Sequence, residues 1–440
     1  MNINELEKSL YFHNPWWIKN VVPLELIPPF RRPILNQLNK YLDSLERIVV
    51  IKGPRRTGKT TLIFQLIENL ISKKAVNPYN ILFLSFDDLN LRQDLDRIFH
   101  TFERIRGKVL KGDLIYCFLD EVHFLEEWSF FVKKYFDKKY PIKFLVSSSS
   151  ASLFKKSLES LAGRTVEERL LPFTFKELVL YHFREDENFL KLFHEGKYTP
   201  YESELQILFQ KYLVKGGFPN LLEIGEPSLW QKLLREDVLE KVIYRDLTQL
   251  YGVRDPEKLE KTFLYLANTT GQIVNLFSLA KNIGMSRQHL GKYIYYLEQA
   301  YLVFQLQQYS HSTGKTARSP TKLHLIDSGL GSVFSTVTNQ DFIVEGVIAR
   351  HFWESEERTF YYRNYSEIDL IVKREREVIP VEIKNKERPD RDDFKGLIFF
   401  MKKFNLQEGL LLCRDYRGIE EKEGLTIRIE PFWLWLLKNG

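Results

Sequence analysis

Cysteine is nearly absent from this 440-residue chain: there are 2, with only 3 methionines. Cys117 and Cys413 lie far apart inside apolar runs, so they match neither a zinc pattern nor a disulfide framework and read as core residues of a protein in a reducing, cytoplasmic setting. Nor is there an uncharged apolar run of about 18 residues, and the amino terminus lacks a basic-then-apolar leader, so neither a membrane span nor a secretory signal is expected. The charge excess is small, at +6, which permits nucleic-acid binding without demanding it. What is abundant is apolar and aromatic material, 44% and 14%, enough for a folded chain of about three modules.

The most informative stretch is Gly53-Pro54-Arg55-Arg56-Thr57-Gly58-Lys59-Thr60, followed by Thr61, a complete G-x-x-x-x-G-K-[ST] phosphate loop. It follows the apolar run Ile48 to Ile51, read as a buried strand, and leads into helical periodicity from Thr60 to Ser72. Such a loop turns backbone N–H groups toward a polyphosphate; Lys59 adds a cation for the terminal phosphates and Thr60 a hydroxyl for Mg²⁺. ATP and Mg²⁺ are therefore the expected ligands.

Further buried strands are expected at 81–86, 114–119 and 143–146, alternating with helices. That alternation predicts an α/β core with a parallel sheet covered on both faces and ligands at the carboxyl ends of its strands. The third strand ends in Asp120-Glu121, where Asp120 would serve the metal and Glu121 the attacking water. The sequence Asp120-Glu121-Val122-His123 resembles a DEAH helicase motif, but the second lobe of such a helicase does not follow, so His123 reads as structural. The fourth strand, expected beside the second, runs into Ser147 to Ser150; Ser149 is the candidate γ-phosphate sensor, although a serine run also suits a turn. Arg164 is a candidate for transition-state stabilisation in a neighbouring subunit, which would require a homo-oligomer, or equally a solvated surface arginine.

The succession of Gly53 to Leu62, Leu119 to Trp128, the serines, Leu161 to Arg164 and Leu171 to Glu177 resembles the archaeal and bacterial AAA-type ATPases that carry a DUF4143-type carboxy-terminal region. Tyr212 to Pro219, with Gly216-Gly217, and Lys322 to Leu330 are similar to later signatures of that family, and the resemblance runs from about Arg31 to near the end. One departure is Ser148, where the family usually has glycine before its sensor serine.

The expected organisation is a leader over 1–45, a P-loop ATPase core over 46–180, a helical lid or linker over 181–266, a winged helix over 267–332 and a restriction-endonuclease-like α/β module over 333–440. The leader could fold over a nucleotide base. In the winged-helix segment, a glycine turn at Gly284 separates two helices, the second capped by Ser286, with Leu290, Ile294 and Leu297 on one face. Arg287, Gln288 and Lys292 would face outward, with Lys315, Arg318 and Lys322 in the wing, suiting DNA phosphate contacts of low sequence selectivity.

In the last module, 368–372 and 378–384 read as a hairpin. Glu382 and Lys384, two apart, share a face that Asp369 can approach from the neighbouring strand. Two carboxylates beside a lysine suit a metal-activated water attacking a phosphodiester, with Mg²⁺ or Mn²⁺ on the acids. The pattern resembles the PD-(D/E)XK nucleases, Glu345 matching their helical acid, with Ile368 in place of the usual proline. Spacing alone equally allows a solvated hairpin with cross-strand charge pairs, and such a fold can bind DNA without cutting it.

Overall fold

The computed structural model describes residues 3–92, 94–125, 127–149, 160–310, 319–336, 339–355, 357–364, 366–374 and 377–440. Ser150 of the serine run and the wing residues Lys315 and Arg318 lie outside the described residues. The chain divides into two compact units, 1–171 and 172–440. Among the described residues no helix is long and apolar enough to cross a membrane. Cys117 and Cys413 are free and buried.

The first unit holds α1 (Ile3–His13), α2 (Trp16–Lys19), α3 (Ile34–Ser44), β1 (Ile48–Lys52), α4 (Lys59–Ser72), β2 (Ile81–Ser85), α5 (Leu95–Arg106), β3 (Ile115–Asp120), α6 (Trp128–Asp137), β4 (Ile142–Ser148) and β5 (Thr165–Arg169). The sheet order is β2-β3-β4-β1-β5, and every pair is parallel. β1 to β4 are almost wholly buried, as strands between two helical layers must be, whereas edge strand β5 is only partly buried. β4 lies between β3 and β1 rather than beside the second strand, which brings its serines next to both the phosphate loop and Asp120.

The segment before β1 is part of this core, with Leu6, Leu10, Trp16 and Trp17 all buried in it. Its polar atoms protect the open edge of the sheet. The Asn14 amide donates to the Phe83 carbonyl (3.0 Å) and accepts from the Phe83 N–H (2.7 Å), standing in for a missing strand, while Trp17 Nε1 donates to the Ile81 carbonyl at 2.9 Å.

The second unit begins with α7 (Phe175–His182), α8 (Glu187–His194), α9 (Glu202–Lys215), α10 (Pro227–Glu236), a π-helical stretch (Asp237–Leu247), α11 (Thr248–Tyr251) and α12 (Pro256–Asn268). Thr174 and Glu177 form a reciprocal capping box that starts α7. There follow β6 (Gln272–Ile273), α13 (Leu276–Ile283), α14 (Arg287–Gln299), β7 (Val303–Gln308) and β8 (Thr321–Leu325), with β8 antiparallel to both β6 and β7. Ser286 caps α14 by accepting from the His289 N–H, and Leu290, Ile294 and Leu297 are buried while Arg287, Gln288 and Lys292 are exposed. Lys322, expected in the wing, is turned inward and only 2% exposed.

The remainder is α15 (Ser328–Phe334), α16 (Gln340–Glu354), β9 (Arg358–Arg363), β10 (Glu367–Arg374), β11 (Glu377–Ile383), α17 (Lys395–Phe404), β12 (Glu408–Cys413), β13 (Gly418–Lys422), β14 (Leu425–Pro431) and α18 (Phe432–Asn439). β9, β10 and β11 form an antiparallel meander, and β11 returns through α17 to parallel β12. β7 pairs in parallel with β9, so the hairpin next to α14 and the carboxyl-terminal strands form one nine-stranded sheet. The two modules expected on either side of residue 332 thus share a sheet.

Burial pushes the Glu298 carboxyl on α14 up to about 7, against a hydrogen bond from Gln305 that lowers it. The folded chain then holds a proton that the unfolded chain releases from its ordinary 4.5, so stability falls as pH rises from that value to about 7 and stays lost above it. Glu298→Gln is expected to stabilise the protein by about 2 kcal/mol at pH 8 and to leave it unchanged near pH 4, as urea unfolding at the two pH values would show.

Candidate functional site

The first site is built where β1 ends and α4 begins. Gly53 is required by close packing: a Cβ there would stand 2.0 Å from the Leu170 carbonyl oxygen. Gly58, at φ +89°, caps α4 without a side-chain bond, so the first-turn N–H groups of that helix remain open to an anion. The Thr57 hydroxyl donates to the Pro54 carbonyl at 3.0 Å, and the buried Arg32 guanidinium donates to the Thr57 and Leu171 carbonyls at 3.3 and 2.9 Å. Arg55 lies 4.0 Å from Asp87, Arg56 is exposed with φ +67°, and Thr61 is half-buried in the first turn of α4. Lys59 is buried, its ammonium 3.0 and 2.9 Å from the Gly53 and Pro54 carbonyls and 3.7 Å from Glu121.

β3 delivers the acids. The Thr60 hydroxyl donates to Asp120 Oδ2 at 2.7 Å, and Ser147 from β4 donates to Asp120 Oδ1. Burial and the neighbouring Glu121 push Asp120 up to about 6, although Ser147, Thr60 and Lys59 oppose the shift. Glu121 sits in the left-handed region (φ +53°), accepts from the Ser149 N–H at 3.0 Å and meets His123 Nδ1 at 3.1 Å. Although its burial works the other way, Lys59 and His123 hold Glu121 well below the usual carboxylate range. The set fits Mg²⁺–nucleotide: Thr60 and Asp120 offer adjacent oxygens of the kind that cation takes in small number, completing its shell from phosphate and water.

Three residues that the sequence does not mark as part of the site support it, among them His123, read there as structural. Ser147 holds Asp120, His123 holds Glu121, and Arg32 braces the loop. A histidine two residues after Glu121 is the one available signal for His123; the long-range partners of Arg32 have none. Ser149 meets Glu121 through its backbone. Arg164 sits just before β5, whose first residue pairs with Ile48 at the start of β1, and so lies at the opposite end of the sheet from Gly53. There it forms a two-point pair with Asp137, at 2.7 and 3.2 Å.

The second cluster lies wholly in the second unit. The β10–β11 register, with Leu370 opposite Val381, continues to put Asp369 opposite Glu382 on one face. Asp369 accepts from the Ile383 N–H at 2.8 Å, Lys384 Nζ is 2.6 Å from Glu382, and Lys322 Nζ from β8 is 2.6 Å from Glu345 on α16. Burial and Asp369 raise Glu382 well above the ordinary range, opposed by Lys384. Burial likewise lifts Glu345 to about 8 despite Lys322, the desolvation cost expected of a deeply placed ion pair. Lys384 is pushed up to about 12, the attraction of Glu382 and Asp369 outweighing its burial. Among the described residues, no three or more histidine, cysteine, aspartate or glutamate side chains converge closely enough to hold a metal ion. Glu345, Asp369 and Glu382 lie on neighbouring elements, each is engaged by protein, and as arranged they do not fit bound Mg²⁺ or Mn²⁺.

Comparison with known families matches residues 45–179 to an AAA domain, 206–341 to a domain of unknown function (DUF8612) and 340–432 to another (DUF4143). An uncharacterised protein of Methanocaldococcus jannaschii is 27% identical over 414 residues, 89% of this chain and 88% of that one. One from Haemophilus influenzae is 26% identical over 309 residues, covering 68% and 72%. Among solved structures, AMPPCP-bound DnaA from Aquifex aeolicus aligns with 65% of this chain and 92% of its own at 15% identity and a TM-score of 0.28, a likeness too low to carry an argument.

Proposed function

We propose, for a chain that belongs to the AAA-type ATPases with a carboxy-terminal DUF4143 region, a Mg²⁺-dependent ATP hydrolase whose nucleotide state gates a DNA-binding carboxyl-terminal module. The observation that carries the reading is the gathering of Lys59, Thr60, Asp120 and Glu121 at the carboxyl ends of β1 and β3. The open N–H groups of α4 and the Lys59 ammonium bind the terminal phosphates. Thr60 and Asp120 would hold Mg²⁺, which offsets phosphate charge when bound. Glu121, kept charged by Lys59 and His123, orients the attacking water, and Ser149 positions Glu121 through its N–H. Arg164, at the far end of its own sheet, can serve only a neighbouring subunit's nucleotide, so its catalytic role goes with a homo-oligomer.

DNA contact rests on the exposed Arg287, Gln288 and Lys292 along α14, a helix carried in winged-helix order. Replacing Arg287 and Lys292 together by glutamate is expected to weaken duplex binding about tenfold or more and to lower the salt slope by about 2. Fluorescence anisotropy of a labelled duplex across a salt series, with ATP or ADP, checks this; unchanged affinity and slope would remove α14 from the interface. Nucleotide-independent DNA affinity in the wild type would remove the gating.

A second reading, a switch whose nuclease-like module is catalytically silent, is favoured by one observation: Glu345, Asp369 and Glu382 each already have a partner within the protein. The stronger alternative, DNA cleavage by Asp369, Glu382 and Lys384, requires that Glu382→Ala abolish cleavage while ATP turnover continues.

A further inference from the structure

Hydrolysis of ATP gathers negative charge on the γ-phosphoryl oxygens and on the oxygen bridging to the β-phosphate, and a cation beyond Lys59 stabilises that charge. Arg164 cannot supply it to the nucleotide of its own chain, since it lies at the opposite end of the sheet from Gly53 and is paired with Asp137. Arg55 is far better placed. It stands in the phosphate loop four residues before Lys59, with its side chain only 15% exposed, whereas the neighbouring Arg56 is exposed. Its guanidinium lies 4.0 Å from Asp87, just beyond the end of β2. Because the sheet order is β2-β3-β4-β1, this pair bridges the carboxyl ends of β4 and β3, and β3 is the strand that delivers Asp120 and Glu121. Burial raises the Glu121 carboxyl, and Arg55 joins Lys59 and His123 in drawing it down, so the guanidinium acts on the same carboxylate as the loop lysine. The Asp87 side chain is 53% exposed and beyond hydrogen-bond distance, so exchanging that pair for a phosphate oxygen costs little.

We infer that Arg55 is a catalytic residue acting in cis, its guanidinium donating to the γ-phosphoryl and bridging oxygens of the nucleotide held by its own loop. This rests on the hydrolytic reading of Lys59, Thr60, Asp120 and Glu121. In the step it serves, a water oxygen bonds to the γ-phosphorus while the bond from that phosphorus to the bridging oxygen breaks, its electron pair leaving with ADP. One proton of the water stays on inorganic phosphate and the other passes to solvent. The charge arriving on the bridging oxygen is what the guanidinium meets, so its contribution is larger in the transition state than with bound ATP. A planar fork reaches two oxygens at once, which a lysine ammonium at the same position does not.

The test measures phosphate release by the full chain with ATP and Mg²⁺, alongside binding of a fluorescent ATP analogue and of ADP with tetrafluoroaluminate. Arg55→Ala is expected to lower kcat about a hundredfold or more while KM and analogue affinity change by less than about threefold. Arg55→Lys should recover only part of the loss. Millimolar guanidinium chloride should restore turnover to Arg55→Ala and not to Glu121→Gln, a rescue that a merely structural arginine would not show. The aluminate should tighten ADP binding in the wild type and not in Arg55→Ala. Mixing Arg55→Ala with Glu121→Gln should regain nothing; restored turnover would put Arg55 on a neighbouring subunit's nucleotide and overturn the assignment in cis. Wild-type turnover by Arg55→Ala beside an inactive Glu121→Gln would overturn this inference alone, whereas wild-type turnover by Glu121→Gln would overturn the hydrolytic reading beneath it. Loss of analogue binding by both Arg55→Ala and Arg55→Lys would make the arginine a brace of the loop and end the inference.

Discussion

Lys59→Ala is expected to lower ATP turnover by about a hundredfold or more at saturating ATP and Mg²⁺. Two losses combine in this one change. The ammonium proposed to meet the terminal phosphates disappears, and so does the cation 3.7 Å from Glu121 that helps keep that carboxylate charged. The variant should therefore lose both nucleotide affinity and turnover. Glu121→Gln, which leaves the phosphate loop intact, should keep nucleotide binding and lose turnover alone. Phosphate release together with binding of a fluorescent ATP analogue separates the two; wild-type turnover by Lys59→Ala would remove the hydrolytic reading of this loop.

Asp327→Ala should destabilise the second unit by about 2–4 kcal/mol, as expected when a buried acceptor of two backbone N–H groups is removed and its arginine is left with its 3.4 Å ion pair with Glu354. Asp327 accepts from the Gly217 N–H at 2.8 Å and the Gly329 N–H at 2.9 Å, and the buried Arg350 guanidinium lies 3.8 Å away. Ser328 adds a hydrogen bond to the Tyr212 carbonyl at 2.7 Å. The glycines are needed because the chain segments touch: a Cβ on Gly216, where φ is +75°, would stand 1.8 Å from Asp327 Oδ1, and one on Gly217 would stand 2.2 Å from the Phe173 carbonyl oxygen. Gly217→Ala should accordingly destabilise the same unit. Guanidinium unfolding followed by near-ultraviolet dichroism measures both, and a loss below about 1 kcal/mol for Asp327→Ala would show that the hub is dispensable.

These two sites differ in how far they can be read from sequence. The phosphate loop is a local object, eight residues running from the end of a strand into the first turn of a helix, and Gly53, Lys59 and Thr60 carry its chemistry wherever that unit folds. The buried strands β1 to β4 were legible for a similar reason: each is a continuous apolar run. β5 was not, since Thr165–Arg169 is a partly buried edge strand whose last three residues are all charged. The Gly216-Gly217 and Asp327-Ser328-Gly329 motifs were visible, but their joint purpose was not, because the hydrogen bond that links them spans 110 residues.

By itself, then, the sequence determined a nucleotide-binding loop, an acidic pair to serve it, a helix with an outward basic face and a strand pair bearing Asp369, Glu382 and Lys384. Each depends on spacing within one or two adjacent elements, which backbone periodicity dictates. Only the tertiary structure decided what those acids meet. Lys322 reaches Glu345 because β8 and α16 pack together, and the hairpin joins the carboxyl-terminal sheet because β7 pairs with β9. Contacts between segments distant along the chain are set by which buried faces pack together, and no local pattern in either segment specifies them.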